Sequence, residues 1–110
     1  GRPVLCEVKS VNLCEKGLAL FPDAPTSRGK KHIEELEKAL NHGYEALVVF
    51  VGLRPDIASF SPHEKMDADF AGALRKAAQA GVKILACGTE WSEKGCGNLF
   101  FVPVVLESEA

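Results

Sequence analysis

The chain has 110 residues, 46% of them hydrophobic and 25% charged, with a formal net charge of −2. That length supports one domain with a sizeable core and not two. The small negative charge excludes a global basic field, so any nucleic-acid contact must come from a local patch, and no apolar run reaches the roughly 20 residues of a membrane helix.

No basic start with an apolar middle marks a secretory signal. Gly1-Arg2-Pro3 lacks an initiator Met and leads at once into a strand, which reads as the start of a fragment or a processed chain. The four cysteines, Cys6, Cys14, Cys87 and Cys96, match no CxxC or zinc-ribbon spacing. They read as reduced thiols of a cytoplasmic protein, with a Cys6–Cys14 bridge across a first hairpin and a four-cysteine metal site as the alternatives.

Residues 4 to 13 alternate as a strand does, with Val4, Cys6 and Val8 on one face and Leu5, Glu7, Lys9, Val11 and Leu13 on the other. Glu15-Lys16-Gly17 supplies a turn, and Leu18 to Phe21 is expected to return as the second strand of a hairpin. Pro22 and Pro25 then break the ladder. Thr26 or Ser27 caps a helix running to about Asn41, with Ile33, Leu36, Ala39 and Leu40 inward and Gly43 closing it. The unbroken apolar run EALVVFVG, 45 to 52, predicts a strand covered on both faces.

A long polar segment follows, and then a second helix from Asp67 to Ala80, stopped by Gly81, with Phe70, Leu74, Ala77 and Ala78 inward. VKILAC, 82 to 87, completes a βαβ unit with the 45–52 strand, so the two are expected to be parallel. LFFVPVVL, 99 to 106, predicts an edge strand that Pro103 pushes outward. There is no internal repeat, low-complexity tract or linker. The architecture expected is an α/β sandwich built on a mixed sheet.

Glu7 and Lys9 share a strand face about 7 Å apart. The pair has two readings, an exposed ion pair or a site. A carboxylate, with the Val8 carbonyl beside it, suits a hard cation such as Mg²⁺ or Mn²⁺, and an ammonium stabilises developing negative charge, as metal-assisted phosphodiester hydrolysis requires. At the start of the first helix, Arg28, Lys30, Lys31 and His32 crowd an end that already carries partial positive charge, and Gly29 is a poor helix former there. Free N–H groups and cations make a phosphate site, against which a solvated charged turn remains open. Asp23 either adds a ligand or holds its turn. Arg54 and Asp56 lie where open α/β sheets place ligands, yet they are equally suited to pairing with each other. His42 and His63 read as surface residues, and Trp91 has no aromatic partners for base stacking.

EVKSVNL at 7–13, ALFPDAPTSRGKKHIEEL at 19–36, RPDIASFSP at 54–62 and DADFAGALRKAAQAGVKILA at 67–86 together resemble the SfsA family, the sugar fermentation stimulation proteins. The resemblance implies a restriction-endonuclease-like (PD-(D/E)xK) core, a mixed sheet flanked by helices. It implies the C-terminal domain of a longer protein whose N-terminal OB-like domain is absent here. It also implies DNA binding linked to transcription regulation of sugar (maltose) metabolism. Glu7 then matches the metal-ligating acid and Lys9 the catalytic lysine, with Arg28 to His32 near DNA phosphates. The upstream acidic ligand of that pattern is missing, so a fragment of this kind is expected to cleave poorly. The competing readings are a Mg²⁺-dependent nuclease completed by that upstream residue, and an interaction domain that binds no nucleic acid.

Overall fold

Alternating side chains make residues 4 to 11 extended, and in the computed structural model of the protein, which describes residues 1–92 and 95–107, they form strand β1 (Val4–Val11). Its inward face carries Glu7, Lys9 and buried Val11, while Val4 and Val8 are exposed on the other. β1 does not return through a hairpin as alternation alone predicts. It pairs in parallel with β4 (Glu45–Gly52), Glu7 opposite Val48 and Lys9 opposite Phe50.

The hairpin is a separate unit, β2 (Leu13–Glu15) and β3 (Leu18–Phe21). Lys16 and Gly17 close it with φ of 50° and 85°, the left-handed pair whose twist matches that of adjoining strands. β3 ends at Phe21, before Pro22, and on its antiparallel side it pairs only with the three residues of β2, leaving no length for β1. The longer β1 finds an eight-residue partner in β4 instead. Cys6 and Cys14 thus lie on strands of different sheets and are free thiols, as is Cys87, so no bridge spans the hairpin. The side chains of Trp91 and Cys96 lie outside the described residues.

Helix α1 (Ser27–Ala39) starts at Thr26, whose Oγ1 accepts the Gly29 N–H at 2.9 Å, and buries Ile33, Leu36 and Ala39. Its last turn tightens into a 3₁₀ segment, Leu40–His42, ended by Gly43 at φ 84°. Helix α2 (Ala68–Ala80) is capped by Asp67 and buries Phe70, Ala71, Ala73, Leu74 and Ala77, whereas Ala78 is half-buried. The polar stretch between β4 and α2 contains a strand that hydropathy does not reveal. This is β5 (Ser59–Pro62), parallel to β3, with Phe60 and Pro62 inward. β6 (Lys83–Ser92) runs parallel to β4 and past Cys87, and β7 (Gly95–Val102) returns antiparallel to it.

The sheet orders are β1-β4-β6-β7 and β2-β3-β5. Phe50 of the larger sheet stacks on Phe60 of the smaller at 4.4 Å, and Phe21 touches Phe50 and Phe70 at 5.3 and 5.2 Å, so four aromatics join both sheets to α2. Both helices cover one face of the larger sheet. On its other face Leu47, Val49 and Val51 are only half-buried, which corrects the expectation of a strand covered on both sides. Val4, Val8, Leu85, Leu99 and Phe101 are exposed on that face.

Candidate functional site

Glu7 and Lys9 point inward, but β1 is the edge of its sheet, so they stand where the helical layer ends. Lys9 lies opposite fully buried Phe50, and its side chain is 11% exposed against 39% for Glu7. Helix α1 brings His32 to the pair. Lys9 Nζ is 2.9 Å from His32 Nδ1, and Glu7 Oε1 lies 3.8 Å from that amine and 3.6 Å from that nitrogen. A carboxylate, an amine and an imidazole are thus gathered at one strand edge. Glu7 and Lys9 are an ion pair with Glu7 partly open to solvent, and His32 makes it a group of three.

The cations of α1 divide by helical geometry. Arg28, Lys31 and His32 stand at positions i, i+3 and i+4 and share a face, whereas Lys30 lies on the opposite one. Arg28 and Lys31 are exposed. Lys30 is half-buried on the side of α2. There the backbone N–H groups of Thr26, at 2.8 Å, and Phe70, at 2.9 Å, hold the Asp67 carboxyl below the usual carboxylate range, with the Lys30 charge adding a smaller share. One carboxylate therefore ties together the starts of both helices. Gly29, which propensity marks as misplaced, has a packing reason. A Cβ there would sit 2.8 Å from Thr26 Cγ2 and 3.0 Å from Thr26 Oγ1, with Phe70 Cε2 at 3.5 Å.

Arg54 and Asp56 pair with each other through Nε–Oδ1 and Nη2–Oδ2, the latter 2.7 Å, both side chains largely exposed. The hydrogen bond from Arg54 is what lowers the Asp56 carboxyl. Asp23 is exposed at the bend after β3 and takes no part in the hydrogen bond and ion pairs of Glu7, Lys9 and His32. His42 is on the surface as expected, but His63 is half-buried, with Nδ1 3.2 Å from the Pro22 carbonyl.

Among the described residues no group of three or more His, Cys, Asp or Glu side chains is able to hold a metal ion. Mg²⁺ is held by one or two carboxylates plus waters and substrate phosphates, and Glu7 is the one carboxylate that stands beside Lys9 and His32 among the described residues. Sequence reasoning placed His32 with the phosphate-binding cations and missed its hydrogen bond to Lys9. Its sequence signal was the helical spacing from Arg28, which separates His32 from Lys30.

Comparison with known proteins places these residues in context. A family model described as the SfsA sugar fermentation stimulation protein RE domain matches residues 1–95. A sugar fermentation stimulation protein homolog of Desulfitobacterium hafniense (strain Y51) is 49% identical over 105 residues, which are 96% of this chain and 46% of that protein. One from Methanothermobacter thermautotrophicus is 46% identical over 93 residues, 83% of this chain and 39% of that one. A solved structure, of Pyrococcus furiosus SfsA in complex with Ca²⁺, superposes with a TM-score of 0.82 at 35% identity, over 93% of this chain and 45% of that one. The mixed α/β core with flanking helices is the nuclease-like fold of that relative. The chain spans under half the length of the proteins it matches.

Proposed function

The chain belongs to the SfsA family, and from that premise we propose that it is a DNA-binding domain of nuclease-like fold that seats the phosphate backbone at the β1 edge. It corresponds in this reading to the C-terminal, nuclease-like part of a longer protein that serves regulation of sugar (maltose) metabolism. One observation carries the proposal. His32, which meets the inward pair Glu7 and Lys9, shares its helix face with two exposed cations, Arg28 and Lys31.

Arg28 and Lys31 would neutralise phosphates, which fixes register on the duplex without reading bases. Lys30, turned toward Asp67, would contribute less. Glu7 with the Val8 carbonyl would hold Mg²⁺ or Mn²⁺ once DNA phosphate completes the donor set. The ion would supply Lewis-acid polarisation of that phosphate. The relative's Ca²⁺ complex supports a hard cation in this family. Lys9, held almost out of solvent, would place a positive charge where negative charge gathers on a phosphate oxygen.

A second reading, a Mg²⁺-dependent nuclease, is favoured by the free edge of β1, which has β4 as its one strand partner among the described residues. A further strand bearing an acidic residue could complete the cation site there. Arg54, Asp56 and Asp23 play no part in either reading.

Fluorescence anisotropy with labelled duplex DNA at two salt concentrations tests the proposal. Binding should weaken with salt, and an Arg28→Ala, Lys31→Ala double variant should lower the log–log salt slope by about 2. Glu7→Ala should leave metal-free binding intact and abolish its enhancement by Mn²⁺. No binding at low salt would leave an interaction domain that holds no nucleic acid.

A further inference from the structure

We infer that His32 is a positioning residue for Lys9, accepting a hydrogen bond from the ammonium at Nδ1 and aiming it, rather than a phosphate ligand through that atom. An ammonium has three donors and no acceptor, so at 2.9 Å the imidazole nitrogen must accept. A neutral imidazole has a single acceptor nitrogen. His32 is therefore the tautomer with its proton on Nε2, and Nδ1 is spent on Lys9.

Distance separates the roles of the two groups beside the amine. Glu7 Oε1, at 3.8 Å, is too far for a hydrogen bond and supplies charge without direction. Direction comes from His32. A lysine carries four rotatable side-chain bonds, and an unheld ammonium samples many positions, which makes it a poor element of a site needing placement within about 0.5 Å. The holder is itself held. His32 precedes fully buried Ile33 on a helix whose start is fixed by Thr26 and, through the Thr26 N–H, by Asp67. The support thus runs from Asp67 through α1 and His32 to Lys9. The same geometry sets His32 apart from its neighbours Arg28 and Lys31, whose exposed charges have no comparable duty.

The inference rests on the proposed function only in taking Lys9 as the acting amine; the hydrogen bond is readable without DNA. Nitrogen-15 NMR of the whole chain detects a lysine ammonium whose proton exchange is slowed by a hydrogen bond, and it identifies histidine tautomers. In the free protein the Lys9 ammonium signal should be present and the His32 ring should show an unprotonated Nδ1. His32→Asn, whose amide oxygen stands near the position of Nδ1, should keep the Lys9 signal, and His32→Ala should lose it. Lys9→Met should release the His32 tautomer, a check that does not depend on the fold of a His32 variant.

In the anisotropy assay His32→Ala should weaken binding about tenfold, and His32→Asn should restore most of it. A Lys9 signal unchanged in His32→Ala would overturn the inference. So would equal loss of binding in both His32 variants with the Lys9 signal intact in His32→Asn, since the ring would then act on phosphate directly. Absence of DNA binding in every form, with the Lys9 signal still dependent on His32, would refute the DNA reading and uphold the positioning role.

Discussion

Lys9 holds a positive charge at an inward position of a strand, beside a fully buried phenylalanine. Desolvating that charge is unfavourable, and the His32 hydrogen bond with the Glu7 charge offsets part of the penalty. A residue kept for stability would not be chosen this way. Lys9→Met, which retains the stem, should therefore leave folding stability unchanged or raise it by about 1 kcal/mol in urea unfolding, while DNA affinity falls. Asp67 makes the opposite case. Its folded carboxyl titrates below the ordinary value, first through the Thr26 N–H and then the Phe70 N–H. A depressed folded pKa means that the stabilisation is fully present above the unfolded pKa, roughly 3.9, and is lost as pH falls through the lower folded value. Asp67→Ala should cost about 1 kcal/mol at neutral pH. Its deficit relative to the parent should shrink below pH about 4, which denaturant titrations at several pH values would show.

Helix α1 connects the site to the core, and Gly29 shows how tightly. Alanine is favoured over glycine in a helix by about 1 kcal/mol. Here its Cβ would press on Thr26 Cγ2 and Oγ1, the atoms of the cap itself. Displacing the cap costs a similar amount, and it also disturbs the Thr26 N–H held by Asp67. Gly29→Ala should thus lower the melting temperature despite its better propensity, as differential scanning calorimetry would register. Both helices, β3 and β4 were legible from the sequence because caps, glycine stops and apolar runs are local signals. β5 was not, since two serines in SFSP mask the inward Phe60 and Pro62. The partner of β1 was missed because parallel pairing joins segments far apart, and nothing near residue 4 specifies residue 45. The site was half legible for the same reason. Strand periodicity puts Glu7 and Lys9 together, but His32 meets Lys9 across 23 positions and only through the packing of α1.

At the scale of the molecule, the two faces of the larger sheet differ. The helical face closes over a continuous core in which Phe21, Phe50, Phe60 and Phe70 lock the sheets and α2 together. The other face leaves Val8 63% and Phe101 65% exposed, with Val4, Leu85 and Leu99 also uncovered. Contiguous apolar patches beyond a few hundred Å² are uncommon on monomeric proteins. The main core cluster does not depend on that face, because its residues lie on the helical side or between the sheets, and only Cys87 and Thr89 among the described residues are buried on it. The folded chain should accordingly bind an apolar dye such as anilinonaphthalene sulfonate while still unfolding in one cooperative step, unlike a molten globule, whose tertiary packing fluctuates. Val8→Ser with Phe101→Ser should cut dye fluorescence severalfold and leave the melting temperature within a few degrees, since exposed side chains contribute little burial. Dye binding that survives both substitutions would place the apolar surface elsewhere. A large fall in melting temperature would mean that this face is packed in solution. The same chain carries its candidate DNA contacts on α1 and the inward edge of β1, so these two substitutions should also leave the salt dependence of DNA binding unchanged.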